Sequence, residues 1–150
     1  MRYSTSVLML ACALGASVLG ACGSMTESVP GVSVTIDEIE ISSGSRSIRY
    51  RYTVQNASRD SVWVAACDGV IRPDVAVMVR GRRTDSYSGS LCTANVYMGP
   101  ALLAPGGQQS GGGEVQSVPG ASFVPSVTVW RGPTAAGTAR TVQGGAFGGS

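Results

Sequence analysis

The chain has 150 residues, with 11 cationic and nine anionic side chains and no histidine. Every cation is an arginine, so the sequence lacks an imidazole base, a lysine for Schiff-base or Ser–Lys chemistry, and a P-loop lysine. A net charge of +2 spread along one domain's length is no basic stripe for nucleic acid.

In chain order, Arg2 precedes an uncharged stretch that is apolar from Val7 to Ala21. Those residues fall short of the roughly 20 that a membrane-spanning helix needs, and fit the apolar core of a signal peptide. The stretch ends Leu19-Gly20-Ala21-Cys22. This resembles the signal peptide and lipobox of bacterial lipoproteins. The resemblance implies cleavage before Cys22, diacylation (palmitate and its kin) of the Cys22 thiol, and acylation of the new amino terminus. Ordinary secretory cleavage nearby, leaving Cys22 a free thiol, is the alternative; Cys12 follows too short an apolar run to compete. Gly23, where enterobacteria-like sorting uses aspartate to retain lipoproteins at the inner membrane, points to the outer membrane, facing the periplasm. The membrane would then be a partner through the lipid anchor, since two or more acyl chains hold stably. A short tether reaches Gly31.

With Cys12 removed and Cys22 acylated, Cys67 and Cys92 remain, and an oxidising compartment makes a disulfide their default. A metal site is the weaker reading, because two thiols without histidine leave a tetrahedral zinc set incomplete.

From Val32 the pattern has period two: Val32, Val34 and Ile36 alternate with polar residues. The phase breaks before Ile39 and Ile41, which calls for a β-bulge near Asp37-Glu38. After a Ser/Gly turn, Ile48, Tyr50, Tyr52 and Val54 read as inward, with Ser47, Arg49, Arg51 and Thr53 outward. A hairpin would set Glu38 and Glu40 beside Arg49 and Arg51. Residues 56–60 are a turn by composition, followed by Val62 to Cys67, with Asp68-Gly69 a hairpin signal. Pro73 opens a strand over Val75 to Arg80. Residues 81–85 read as a polar tip, and Tyr87 to Cys92 as a weak strand. Pro105-Gly106-Gly107 is a turn, Gln108 to Gln116 an irregular or edge strand, Phe123 to Trp130 a clear strand, and Thr138 to Val142 a last short one. Residues 143–150 read as a flexible glycine-rich tail.

About seven short strands with Gly/Pro/Asn/Asp punctuation, and no helical spacing, indicate an all-β antiparallel sandwich or barrel. Tyr52-Thr53-Val54-Gln55-Asn56-Ala57-Ser58 followed by Val62-Trp63-Val64 is similar to the strand–turn–strand of bacterial immunoglobulin-like domains. Leu103-Ala104-Pro105-Gly106-Gly107 resembles the "L-x-P-G" turn many of them carry. The resemblance implies an immunoglobulin-like sandwich over 32–142, after a signal peptide (1–21) and a lipidated tether (22–31). The cysteines depart from the antibody pattern, since Trp63 precedes Cys67 by only four residues; an inter-sheet bridge does not follow.

The remaining chemistry is carboxylate: Asp37, Glu38, Glu40, Asp60, Asp68, Asp74, Asp85 and Glu114. Glu38 and Glu40 could approach glycosidase spacing but belong to an outer face among arginines. No residue qualifies as catalytic, and neither a cofactor nor a metal is called for. Arg80, Arg82 and Arg83 form the densest basic cluster, either a soluble tip or a contact to anionic lipid or an acidic partner. The expected function is a non-catalytic, envelope-anchored binding or structural module contacting an envelope protein or polymer. The alternatives are a periplasmic inhibitor or chaperone-like protein and, less favoured, a carboxylate hydrolase.

Overall fold

The structure, a computed structural model, describes residues 29–41, 44, 46–87, 92, 98–132 and 138–148. The segments expected to be a signal peptide and a lipidated tether up to residue 28, the middle (88–91) of the weak strand expected over Tyr87 to Cys92, and residues 149–150 lie outside the described residues.

Among the described residues ten strands run β1 (Val32–Ile41), β2 (Ser47–Asn56), β3 (Val62–Cys67), β4 (Val70–Ile71), β5 (Asp74–Val79), β6 (Arg82–Tyr87), β7 (Met98–Leu103), β8 (Gln108–Gln116), β9 (Ala121–Trp130) and β10 (Arg140–Gln143). All pairings are antiparallel. A three-stranded sheet has the order β1-β2-β8; the larger sheet has the order β4-β3-β9-β5-β6, with β10 on β9 and β7 on β3. The chain crosses between sheets after β2, after β7 and after β8, the connection style of an immunoglobulin-like sandwich.

The core lies between the sheets and follows the period-two pattern. Val32 and Val34 (β1), Ile48, Tyr50, Tyr52 and Val54 (β2), Val62 and Val64 (β3), Val75 and Val77 (β5), and Phe123, Val127 and Val129 (β9) are all buried. The bulge forms where the broken phase requires it. Register shifts between Ile36 and Glu38, so Ile39 and Ile41 stay opposite Tyr50 and Ile48. They overhang the core, however, and are 43% and 63% exposed.

Three strands exceed the expected count. Val70–Ile71 is a two-residue return after the Asp68-Gly69 turn, whose φ values of 52° and 76° give the two-residue hairpin its left-handed pair. Arg80-Gly81 repeats that geometry at φ 51° and 74°. The expected polar tip at 81–85 is therefore wrong: the chain turns one residue earlier, and Arg82 already pairs with Val79. Met98–Leu103 pairs along all of β3.

The tail also differs from expectation. Gln143 belongs to β10 and pairs with Ser126, and Phe147 is buried, exchanging backbone hydrogen bonds with Phe123. The Phe147 ring lies 5.1 Å from Tyr50 and 5.5 Å from Phe123, between centroids. One phenyl ring, worth about 1.5–3 kcal/mol when buried, overrides the glycine-rich composition around it.

Candidate functional site

Cys67 and Cys92 form a disulfide with 5.5 Å between Cα atoms, closing a loop of 25 residues. It ties the end of β3 to the connection between β6 and β7 rather than bridging the two sheets. Trp63 and Cys67 lie on the same side of β3, opposite buried Val62, Val64 and Ala66.

The outer face of the three-stranded sheet carries the predicted charges. Register places Glu38 opposite Arg51 and Glu40 opposite Arg49. Arg51 Nε lies 3.4 Å from Glu38, but Arg49 Nε turns the other way, 3.7 Å from Glu114 on β8. All four of these paired side chains are more than half exposed, so each pair contributes at most about 1 kcal/mol. Farther along the same face, Asp37 at the bulge accepts from Thr53 Oγ1 (2.6 Å) and Thr35 Oγ1 (3.2 Å). Thr53 Oγ1 in turn lies 2.8 Å from Ser110 Oγ on β8. A polar ladder thus spans all three strands.

The glycines of β8 shape what lies between these charges. Gly111 and Gly113 face inward, where an added Cβ would sit 2.4 Å from the Tyr52 hydroxyl and 2.4 Å from the Tyr50 ring, respectively. The tyrosines occupy the room that side chains on β8 would take, the packing by which aromatics compensate strand glycines. Gly112 faces outward, and its Cβ would meet nothing nearer than Tyr50 O at 3.6 Å. The result is a strip of bare backbone flooring two shallow depressions. One, about 480 Å³, is lined by Glu38, Glu40, Arg49, Arg51 and Glu114. The other, about 630 Å³, is lined by Asp37, Glu38, Arg51 and Ser110.

The buried tyrosines hold β8 from beneath. Burial pushes the Tyr50 phenol up to about 12, with Tyr52 and Asp74 adding smaller repulsions. Burial also raises Tyr52, against a smaller opposing pull from Arg72. Tyr52 Oη donates to Ile71 O at 2.7 Å, and Ile71 N–H donates to Gln109 Oε1 at 3.0 Å, so β4 is pinned by both β2 and β8.

At the start of β8, Asn56 joins the two turns singled out in the sequence. Its side chain is fully buried and fully used. Nδ2 donates to Asp60 O (2.8 Å) and lies within reach of Leu103 O and Ala104 O (3.0 and 3.2 Å), while Oδ1 accepts from Ser58 N–H and Ser58 Oγ. The backbone adds Asn56 N–H to Gly107 O and Gly106 N–H to Asn56 O. The "V-x-N-x-S" and "L-x-P-G" stretches are two halves of one knot, which launches β8 beside β2.

The roles of three residues were not legible in the sequence. Glu114 completes the charged face, Asp37 ties the bulge, and Phe147 seals the core. The unbroken run Gly111-Gly112-Gly113 was the available signal for the bare strip. Among the described residues no group of acids and cysteines could hold a metal ion, and no helix is long and apolar enough to cross a membrane. The Arg80/Arg82/Arg83 cluster is exposed at Arg80, Arg82 and Arg83 alike, at the tip of the β5–β6 hairpin.

No known protein family and no curated protein matches the chain. Two solved structures are similar to it in fold. One is the X-ray structure of Northeast Structural Genomics Consortium target SoR45, at 11% identity and TM-score 0.37, covering 77% of this chain and 80% of that one. The other is an ASH/PapD-like domain of human CEP192, at 12% identity and TM-score 0.33, covering 95% and 92%. Likenesses this loose carry no functional argument.

Proposed function

We propose that this chain is a bacterial envelope lipoprotein, acylated at Cys22 and facing the periplasm from the outer membrane. Its sandwich is a non-catalytic binding module that takes an extended segment of an envelope protein along β8. The observation that carries this reading is the character of that edge. β8 pairs with β2 over nine consecutive residues without a register break, and among the described residues has no strand on its other side. It contains no proline, lysine or arginine and no bulge, the devices that normally guard an edge. Its glycine strip leaves the backbone open to a partner strand, the basis of recognition by strand addition. A chaperone-like or inhibitory role would use the same edge. The Arg-paired, solvent-exposed carboxylates favour binding over hydrolysis, because acid–base chemistry needs carboxyls held apart in a cleft.

The test is site-specific photocrosslinking in the native envelope from Ser110 and from Thr84 on β6. A partner crosslinked from Ser110 and lost in Gly112→Lys supports the reading, since lysine fits there without strain. Crosslinking from Thr84 alone overturns it. Palmitate labelling that persists in Cys22→Ser would overturn the acylation site.

A further inference from the structure

The two tryptophans of the chain lie side by side. Trp63 on β3 pairs with Leu102 on β7 and with Trp130 on β9, so three large apolar side chains form one row across three strands. The row is on the outer side of the larger sheet, opposite buried Val62, Leu103 and Val129. Leu102 is 53% exposed, and both indoles are partly exposed.

This row sits at the end of the sandwich where the described chain begins. A cavity of about 490 Å³ there is lined by Val29 and Pro30 together with Val62, Trp130 and Arg131. Arg59 and Arg131 are exposed at this end, and Arg140 lies in the same cavity wall; Asp60 is the one acid among the cavity's described lining residues.

We infer that the Leu102–Trp63–Trp130 row and the arginines beside it form a docking surface for a bilayer carrying anionic headgroups. The inference rests on the proposed acylation of Cys22. Seven residue steps separate Cys22 from Val29, and no conformation lets them span more than about 25 Å. The tether therefore holds this end, and not the opposite one, against the lipid. The basic Arg80–Arg83 tip adjoins the start of β9, where Val79 pairs with Ala121, and the ten-residue strand puts it about 30 Å from Trp130. Indole rings partition to the headgroup region because one edge is polar and the body apolar. Arginines near an anionic surface add attraction within a Debye length. The row and the charge coincide at the one end the anchor restrains.

The experiment uses tryptophan fluorescence, which reports on this row alone because the chain has no other tryptophan. Acylated wild-type protein is reconstituted in phosphatidylglycerol/phosphatidylethanolamine vesicles containing brominated lipid. Quenching by bromine with protection from iodide is expected, as is a several-fold loss of that quenching in Leu102→Glu and in Arg131→Glu. The Arg131 side chain is exposed, so that variant tests the surface even if Leu102→Glu misfolds. Vesicle-bound protein whose tryptophans remain open to iodide would overturn the inference. So would a blue shift that needs no vesicles and grows with protein concentration, which would assign the row to a second copy of this chain. Unacylated Cys22→Ser on the same vesicles separates the two readings. Weak bromine quenching there, together with an unmodified Cys22 in envelope protein by mass spectrometry, would sink the anchor and leave the surface standing.

Discussion

The three-stranded sheet has two edges, and they are built on opposite plans. β1 is bulged at Asp37, alternates Glu38 and Glu40 with its overhanging isoleucines, and has the chain after β10 pressed against it. There a Cβ on Gly144 would come within 2.4 Å of Val34 O. β8 is straight and glycine-rich, and its one charge is Glu114. Both edges flank the same central strand, so the difference cannot come from the sheet's twist or depth. It comes from side chains: β1 spends them on protection, while β8 omits them and borrows its packing from Tyr50 and Tyr52. Among the described residues nothing pairs with that edge, which is the ground of the proposed strand addition.

The sharpest way to break the contrast is through Asn56. Asn56→Ala leaves the carbonyls of Asp60, Leu103 and Ala104 without their donor and removes the acceptor for Ser58. The expected loss is about 3 kcal/mol or more in urea unfolding. Hydrogen exchange should accelerate at the start of β8 before it does in β1. A loss under 1 kcal/mol would mean that the knot does not hold β8.

Next come the glycines. Gly113→Ala forces its methyl into the Tyr50 ring and should destabilise by about 1–3 kcal/mol. Gly112→Ala, one residue away, should change stability by about 0.5 kcal/mol or less. Equal effects in thermal unfolding would refute the idea that the tyrosines fill the inner side of β8.

The same packing makes β8 sensitive to alkali. Tyr50 has its folded value raised from 10.0 to about 12, so the folded state holds its proton more tightly than the unfolded chain. The stability from this group is fully present below about pH 10 and is lost as pH rises through about 12. Urea midpoints should fall across that window, and Tyr50→Phe should flatten the fall. The smallest effect is expected at the charged face. Arg51→Ala should cost under about 1 kcal/mol, and less in high salt, because its partner Glu38 is exposed. A larger, salt-independent loss would show that the face is structural rather than solvated.

Local chemistry made much of this legible in the sequence. The alternation in β1 and β2, the phase break at Asp37 and the Asp68-Gly69 turn each depend on neighbouring residues only, and each stands in the structure. Arg80-Gly81 was missed because arginine seldom takes φ > 0, and composition drew attention to the charges after it. Phe147 was missed because a lone aromatic in a glycine-rich tail has no periodicity; its burial depends on Tyr50 and Phe123, distant in sequence.

The candidate sites divide along the same line. The sequence alone determined the strand pattern, the turn chemistry and the outward charges of β2, because side-chain alternation and backbone preference act over a few residues. Tertiary structure decided which strand would be left at an edge, that Arg49 would pair with Glu114 rather than Glu40, and that Trp63 and Trp130 would meet. Those outcomes follow from sheet order and register between residues up to 69 positions apart. Register is set by how whole faces bury against one another, and no single segment carries that information.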